Sequence, residues 1–248
     1  MIKIYGFGWV GKAMKTLFPD ALIHDPHNGY ICNEKADVAF ICVPTPNIGE
    51  GKLDTSIVEE VINNSNDNLY IIRSTIMPGI CDKLEKLGKN ICFMPEYLGE
   101  TVNHPMTNQL TRPFMVVGGQ PENRRKVIEL FQSVYNANIT IKQLTNYEAE
   151  IIKLSENRAI VFKVAQCQEL YDVCEKAGVD YYTIRDAVYG DDPRFNLWWT
   201  FIYPNKRGFN SKCIPKDVYG WCAWAESCGY EPKITKALLE RNKQWISQ

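Results

Sequence analysis

The stretch that most constrains this chain is its first one. Met1-Ile2-Lys3-Ile4-Tyr5 reads as a short strand and runs directly into Gly6-Phe7-Gly8-Trp9-Val10-Gly11. A helix over 12–18 and a second strand over 21–24 follow, and that strand ends in Asp25. Gly6 permits the tight turn, Gly8 lets backbone approach a pyrophosphate, and Gly11 lets helix and strand pack closely. Asp25 falls roughly 20 residues on, where a carboxylate meets the ribose hydroxyls of a dinucleotide. That carboxylate repels a 2′-phosphate, so NAD is favoured over NADP. A lone GxGxxG is weak; strand, glycines, helix, strand and acid in this order are strong.

The alternation continues. Only residues 26–37 separate Asp25 from an apolar strand over 38–43, barely enough for a crossover helix. The sheet is therefore expected to be reduced on this side, lacking a strand or connecting by a loop. Val43, Pro44, Thr45, Pro46 and Asn47 form the loop after that strand, at the edge where an α/β sheet holds its ligand. A helix over 55–63 with Asp54 as cap precedes a strand over 69–73, which presents Ser74 and Thr75 at the same edge. The strand over 91–94 runs into Pro95-Glu96-Tyr97-Leu98-Gly99-Glu100. Glu96 and Glu100 are either solvated loop acids or functional groups, and their place after a strand favours function. A strand over 114–117, a helix over 121–135 and a strand over 138–141 complete an α/β domain over residues 1–144.

From Thr145 the period changes. Thr145-Asn146-Tyr147-Glu148 has the form of a capping box, and apolar residues recur at helical spacing until Gly178, a helix stop. A helix of this length points to a domain-linking, dimer-forming spine within an all-helical domain over 145–248. Lys153 and Asn157 lie on one face of it. Asp180 caps a shorter helix. The aromatic stretch Leu197-Trp198-Trp199-Thr200-Phe201-Ile202-Tyr203 reads as interface or core, and a last helix spans 232–246.

Before that last helix comes Gly208-Phe209-Asn210-Ser211-Lys212-Cys213-Ile214-Pro215-Lys216-Asp217. Pro215 suits the first turn of a helix over 215–228, placing Cys213 at its start. Unpaired helix N–H groups and nearby lysines favour thiolate. Taken alone, the stretch is equally a helix start carrying a buried, inert thiol.

Bulk numbers exclude several classes. Twenty-eight Lys+Arg against 29 Asp+Glu leave a net charge of −1, with no electrostatic footprint for nucleic acid or an anionic membrane. No apolar run reaches membrane-spanning length, and the N-terminus reads straight into a strand instead of a signal peptide. Nine scattered cysteines without CxxC pairs, and three histidines, argue against a metal site and for reduced thiols in the cytoplasm.

With these residues placed, the chain resembles the nucleotide-sugar 6-dehydrogenases, the UDP-glucose/GDP-mannose dehydrogenase family. The resemblance runs in order through GFGWVG, CVPTP, Ser74-Thr75, PEYLGE, Glu150 with Lys153 and Asn157, Asp192-Pro193-Arg194 and Cys213-x-Pro215-Lys216-Asp217. It implies NAD-dependent oxidation of a sugar's primary alcohol to the acid, through an aldehyde and a thioester on Cys213, with two NAD⁺ per turnover. Lys153, Asp217 and a water held by Asn157 match the groups for the first oxidation, Cys213 the nucleophile, Glu96 and Thr75 the groups that activate water. Gly6, Phe7, Gly8, Trp9, Val10, Gly11, Asp25, Val43, Pro44, Thr45, Pro46, Asn47, Ser74, Thr75 and Glu100 match NAD contacts. Tyr97, Leu98, Lys153, Asn157, Phe209 and Lys216 match substrate contacts, and Arg194 an arginine reaching the substrate from a partner subunit, which implies a homodimer through the helix over 145–177.

Three departures qualify this. The chain stops at Gln248, where the family leads into a third, nucleotide-gripping domain, so a separate chain is a candidate to supply it. The segment after Asp25 is short, and the family's glycine-rich turn reads Asn210-Ser211-Lys212. Two other readings stay open: a two-electron 3-hydroxyacid-type dehydrogenase, which leaves Cys213 unexplained, and a non-catalytic NAD-binding relative.

Overall fold

The computed structural model describes residues 1–49, 51–99, 104, 106–108, 110, 113–135, 139–211 and 213–247. Its chain divides into two compact units, Met1–Lys153 and Leu154–Gln248.

Among the described residues the first unit is built on a seven-stranded sheet. Its strands are β1 (Ile2–Tyr5), β2 (Leu22–His24), β3 (Val38–Ile41), β4 (Tyr70–Ile72), β5 (Ile91–Phe93), β6 (Phe114–Gly119) and β7 (Thr140–Leu144), in the order β2-β1-β3-β4-β5-β6-β7. The first five are parallel; β6 pairs antiparallel with β5, and β7 follows β6 in parallel. Because β1 lies between β2 and β3, the connections leaving it diverge, and the crevice at their carboxyl ends is where such sheets bind ligands. The terse connection after Asp25 holds only a single 3₁₀ turn, Pro26–Asn28, closed by an Asp25–Tyr30 bridge. The β2 edge is reduced accordingly.

Side chains alternate across the strands and build two apolar layers. Ile4, Phe40, Ile71 and Cys92 pack with α1 (Trp9–Leu17) and α4 (Pro121–Gln132) through Met14, Leu17, Val127 and Phe131. Tyr5, Ile41, Ile72 and Phe93 pack on the other face with α2 (Ser56–Asn64) and α3 (Ile80–Lys86) through Val58, Ile62, Cys81 and Leu84. A buried polar knot fixes the short connection. Lys3 Nζ donates to Asp67 Oδ1 (3.0 Å), Tyr5 OH to Asp67 Oδ2 (2.8 Å), and the Ala36 amide to Asp67 Oδ1 (2.6 Å).

Two local expectations are corrected. Thr55, not Asp54, is the N-cap residue of α2; Asp54 Oδ1 instead accepts the Ser56 amide at 2.9 Å. Helix α3, absent from the sequence reading, starts at Gly79 in a left-handed conformation (φ +100°). Its opening amides are held from afar: Gly79 N and Cys81 N donate to the two oxygens of Glu150, at 2.6 and 2.9 Å.

Helix α5 (Asn146–Ala177, 32 residues) gives its first turns to the first unit and the rest to the second. The capping box forms: Thr145 N and Oγ1 donate to Glu148 Oε2, and Glu148 N donates to Thr145 Oγ1. The second unit adds α6 (Tyr181–Tyr189), capped by Asp180 through the Thr183 amide, α7 (Ile214–Ser227) and α8 (Lys233–Ile246). Val161, Phe209, Val218, Cys222 and Leu239 form one of its cores, and Cys167, Cys174, Tyr181, Tyr189 and Ile202 another. The aromatic stretch divides: Thr200 and Ile202 are buried, whereas Leu197, Trp198, Phe201 and Tyr203 are exposed. No helix is long and apolar enough to cross a membrane among the described residues.

Candidate functional site

The glycine turn joins the carboxyl end of β1 to α1. Gly6 takes φ +85°, and a side chain there would put its Cβ 2.7 Å from the Cys42 carbonyl oxygen. At Gly11 a Cβ would stand 2.1 Å from the Gly6 carbonyl oxygen, so only glycine allows this helix–strand approach. Gly8 is different: among the described residues nothing lies within 4 Å of where its Cβ would be. It is the N-cap residue of α1 and offers no side-chain cap, so the opening amides of the helix face an open cradle, as a pyrophosphate requires. Trp9 and Val10 form the first turn.

Asp25 closes the turn from β2. Its Oδ2 accepts the Phe7 amide (2.7 Å) and Asn28 Nδ2 (2.8 Å), and its Oδ1 the Asn28 amide (3.2 Å). Burial alone pushes its pKa up, but these bonds outweigh that and hold the carboxyl below its ordinary value. It is a fixed anion with one acceptor position on Oδ1 left for a ribose hydroxyl. The residues present fit a dinucleotide.

The loop after β3 leaves Pro44, Pro46 and Asn47 exposed, with Val43 half-buried and Thr45 buried. Asn47 bridges to Leu53 and accepts the Gly49 amide. Ser74 spends its hydroxyl on the Val43 carbonyl (2.6 Å), tying the ends of β3 and β4 together. Thr75 follows, half-buried.

Glu96 is tightly held. It is 7% exposed; its Oε1 accepts the Tyr97 and Leu98 amides, both at 2.7 Å, and its Oε2 pairs with the Arg73 guanidinium. Arg73, itself buried, also donates to the Met94 (2.9 Å) and Pro95 (3.2 Å) carbonyls. Sequence reasoning missed Arg73, whose only signal was a cation closing an apolar strand. Lys153 Nζ donates to the Glu96 carbonyl (2.7 Å) and stands 5.8 Å from the Tyr97 ring centre. Glu96, Tyr97 and Lys153 are thereby brought together. Glu100 lies outside the described residues.

In the second unit Cys213 is the N-cap residue of α7, and it is exposed, which removes the reading of a buried, inert thiol. Its carbonyl accepts the Asp217 amide at 3.1 Å. Asp217, one turn into the helix, is 0% exposed. Its carboxylate accepts Asn157 Nδ2 (2.6 Å) and Lys216 Nζ (2.6 Å). Asn157, Lys216 and Asp217 therefore form one cluster at the helix that Cys213 opens. Phe209 is buried in the core beneath. Arg194 is exposed and folded onto Asp192, Nε to Oδ1 at 2.9 Å, apart from that cluster. Asn210 lines a cleft of about 380 Å³ with Lys206, Arg207 and Trp245.

Three comparisons with known proteins place the chain in a family. Residues 30–139 match the UDP-glucose/GDP-mannose dehydrogenase family, NAD binding domain, and residues 147–244 match the same family's central domain. The chain belongs to the UDP-glucose/GDP-mannose dehydrogenase family, and its cofactor is NAD. It is 31% identical over 230 residues to a UDP-N-acetyl-D-mannosamine dehydrogenase of Methanocaldococcus jannaschii, covering 88% of this chain and 52% of that protein. To a UDP-glucose 6-dehydrogenase of Rickettsia conorii it is 27% identical over 223 residues, covering 85% and 50%. The chain thus spans about half the length of these relatives. In fold it is similar to a UDP-glucose dehydrogenase of Pyrobaculum islandicum, with a TM-score of 0.81 at 21% identity over 98% of this chain and 68% of that one.

Proposed function

We propose that this chain oxidises the primary alcohol of a nucleotide sugar to the acid, with two NAD⁺ consumed per turnover and a thioester on Cys213 between the steps. The observation that carries the reading is Asp217, a carboxylate without exposure, paired to Asn157 and Lys216 one turn from an exposed cysteine. Burying a carboxylate is costly unless it is paired, and here both partners are side chains that the sequence places at the site.

NAD, when bound, accepts the hydride of each oxidation. The chain's own groups handle protons and the acyl group. Lys153, held near Glu96, would stabilise charge building on the alcohol oxygen, while the Asp217–Asn157 pair takes part in removing its proton. The Cys213 sulfur then adds to the aldehyde carbon, its proton passing to the oxygen, and loss of the second hydride and that proton leaves the thioester. Water adds to the thioester carbonyl, the carbon–sulfur bond breaks, and the thiol and the acid are released. Glu96, pinned by Arg73, and Thr75 are assigned to that water. The uridine- or guanosine-type nucleotide, contacts of Tyr97, Leu98, Phe209 and Lys216 with it or its sugar, and Arg194 acting from a partner subunit belong to the same proposal. So does a homodimer through α5; outside that helix, Trp198 and Phe201 are exposed apolar side chains that a partner could cover. Among the described residues no disulfide joins the cysteines, which suits a reducing, cytoplasmic setting.

The test is to incubate the protein with UDP- and GDP-sugars and NAD⁺, following NADH and product. Two NADH per acid are expected, with Cys213→Ser halting at or before the thioester stage. One NADH with an aldehyde product, or a Cys213→Ala protein that still delivers the acid, overturns the reading.

A further inference from the structure

The segment that carries Cys213 is fastened by a residue of α8. The Phe209 amide donates to Asn242 Oδ1 at 2.9 Å, and Asn242 Nδ2 donates back to the Phe209 carbonyl at 3.0 Å. One side-chain amide thus reproduces the two-bond exchange that paired residues of antiparallel strands make. Asn242 is 5% exposed, so water does not compete for these bonds.

The neighbours are shaped around this clasp. Gly208 takes φ +69°, and a Cβ there would fall 2.5 Å from Asn242 Oδ1. Arg207 is tied to α5, with Nε on Gln168 Oε1 and NH2 on Asp172 Oδ1, both at 2.5 Å. Asp172 also accepts Trp245 Nε1 from α8 at 2.7 Å. The chain is therefore fixed at 207–209 from two helices. It is fixed again at α7, whose Val218 and Cys222 pack in the same core as Phe209. Between these anchors, Ser211 Oγ accepts the Ile214 amide at 3.1 Å and turns the chain into the helix at Cys213. A buried asparagine in a helix is a poor choice for propensity alone, and leucine would pack there without needing partners. The clasp accounts for it.

We propose that Asn242 is a positioning residue for Cys213. By fixing the backbone of Phe209 it holds the cysteine at the first turn of α7, where helix amides favour its reactive form. This rests on the reading of Cys213 as the nucleophile.

The test uses the full chain and iodoacetamide, with labelling at each cysteine quantified across pH. Cys228, exposed at the other end of α7, is the internal reference. The variants are Asn242→Ala, which removes both bonds, Asn242→Asp, which keeps shape but turns an oxygen on the Phe209 carbonyl, and Gly208→Ala, which pushes the amide away. Labelling of Cys213 relative to Cys228 is expected to fall about tenfold at neutral pH, the size of a one-unit change in proton affinity, with its profile moved to higher pH. The NADH yield per substrate should drop toward one. If one variant does not fold, the other two carry the measurement. Variants that melt earlier yet keep the wild-type labelling ratio and pH profile would show a role in folding only, and overturn the proposal. A Cys213→Ser protein that still yields two NADH per acid overturns the functional reading itself, and is told apart by that count.

Discussion

Glu96 and Asp217 are carboxylates held out of water in different units and by different means. Glu96 sits at a strand's end and is gripped by a buried guanidinium and two amides of its own loop. Asp217 lies on a helix, and its carboxylate is met by two side chains, a buried amide and a lysine that stays partly in contact with solvent. The first arrangement is fixed by backbone geometry and a planar cation with several donors. The second depends on how helices pack and on one flexible ammonium. A sheet edge thus sets a carboxylate rigidly, whereas a helix pair sets it adjustably, which suits the water-directing and proton-handling duties proposed for them.

This contrast can be broken at several points. The largest effect is expected from Arg73→Met, which leaves Glu96 buried without its cation and two carbonyls without a donor. Breaking such a buried pair costs about 3–5 kcal/mol, measurable by urea unfolding. A loss below about 1 kcal/mol would mean that the loop amides alone hold Glu96.

Asp217→Asn probes the adjustable side. The Lys216 ammonium can turn to water, so stability should fall by only about 1–2 kcal/mol, while NADH production falls about a hundredfold or more. Equal losses for Asp217→Asn and Arg73→Met in urea would erase the distinction between the units.

Glu150 sharpens it through pH. Burial raises its pKa to about 6, although the Cys81 and Gly79 hydrogen bonds oppose the rise. The folded state therefore binds this proton more tightly than the unfolded chain does. Stability is expected to fall by about 2 kcal/mol as pH climbs from 4.5 to 6, and then to level off. Glu150→Gln should flatten that slope in urea melts at stepped pH. An unchanged slope would assign it to another group.

The smallest effect is at the surface. Trp198→Ser and Tyr203→Ser should change the stability of the isolated chain by no more than about 0.5 kcal/mol. They should shift any dimer toward monomer in sedimentation; an unmoved dimer would place the interface elsewhere.

What could be read from the residues divides along the same line. The capping box at Thr145 and the Asp180 cap were legible because each is satisfied within a few neighbouring residues, and the glycine turn because its spacing is distinctive even though its partners, Cys42 and Asp25, lie further along the chain. Helix α3 was not, because its first amides are capped by Glu150 from a distant helix and its own seven residues carry little pattern. Asp54, Thr55 and Ser56 are three candidate caps in a row, and only the folded backbone chooses among them. Arg73 and Asn242 read as an ordinary strand-end cation and an ordinary helical polar residue. Their meaning lies in partners far along the chain. Cys213 was legible as a helix start, but its exposure depends on a core that no local pattern displays.

The buried knot around Asp67 has a consequence for exchange with solvent. Ala36 belongs to an irregular connection, where amides ordinarily trade their hydrogen for deuterium quickly. Its amide is nevertheless given to a carboxylate oxygen that Lys3 also holds. Opening it means disturbing a paired charge beneath β1, so Ala36 should exchange on the slow time scale of the central strands. A coil residue would then report when the sheet itself comes apart.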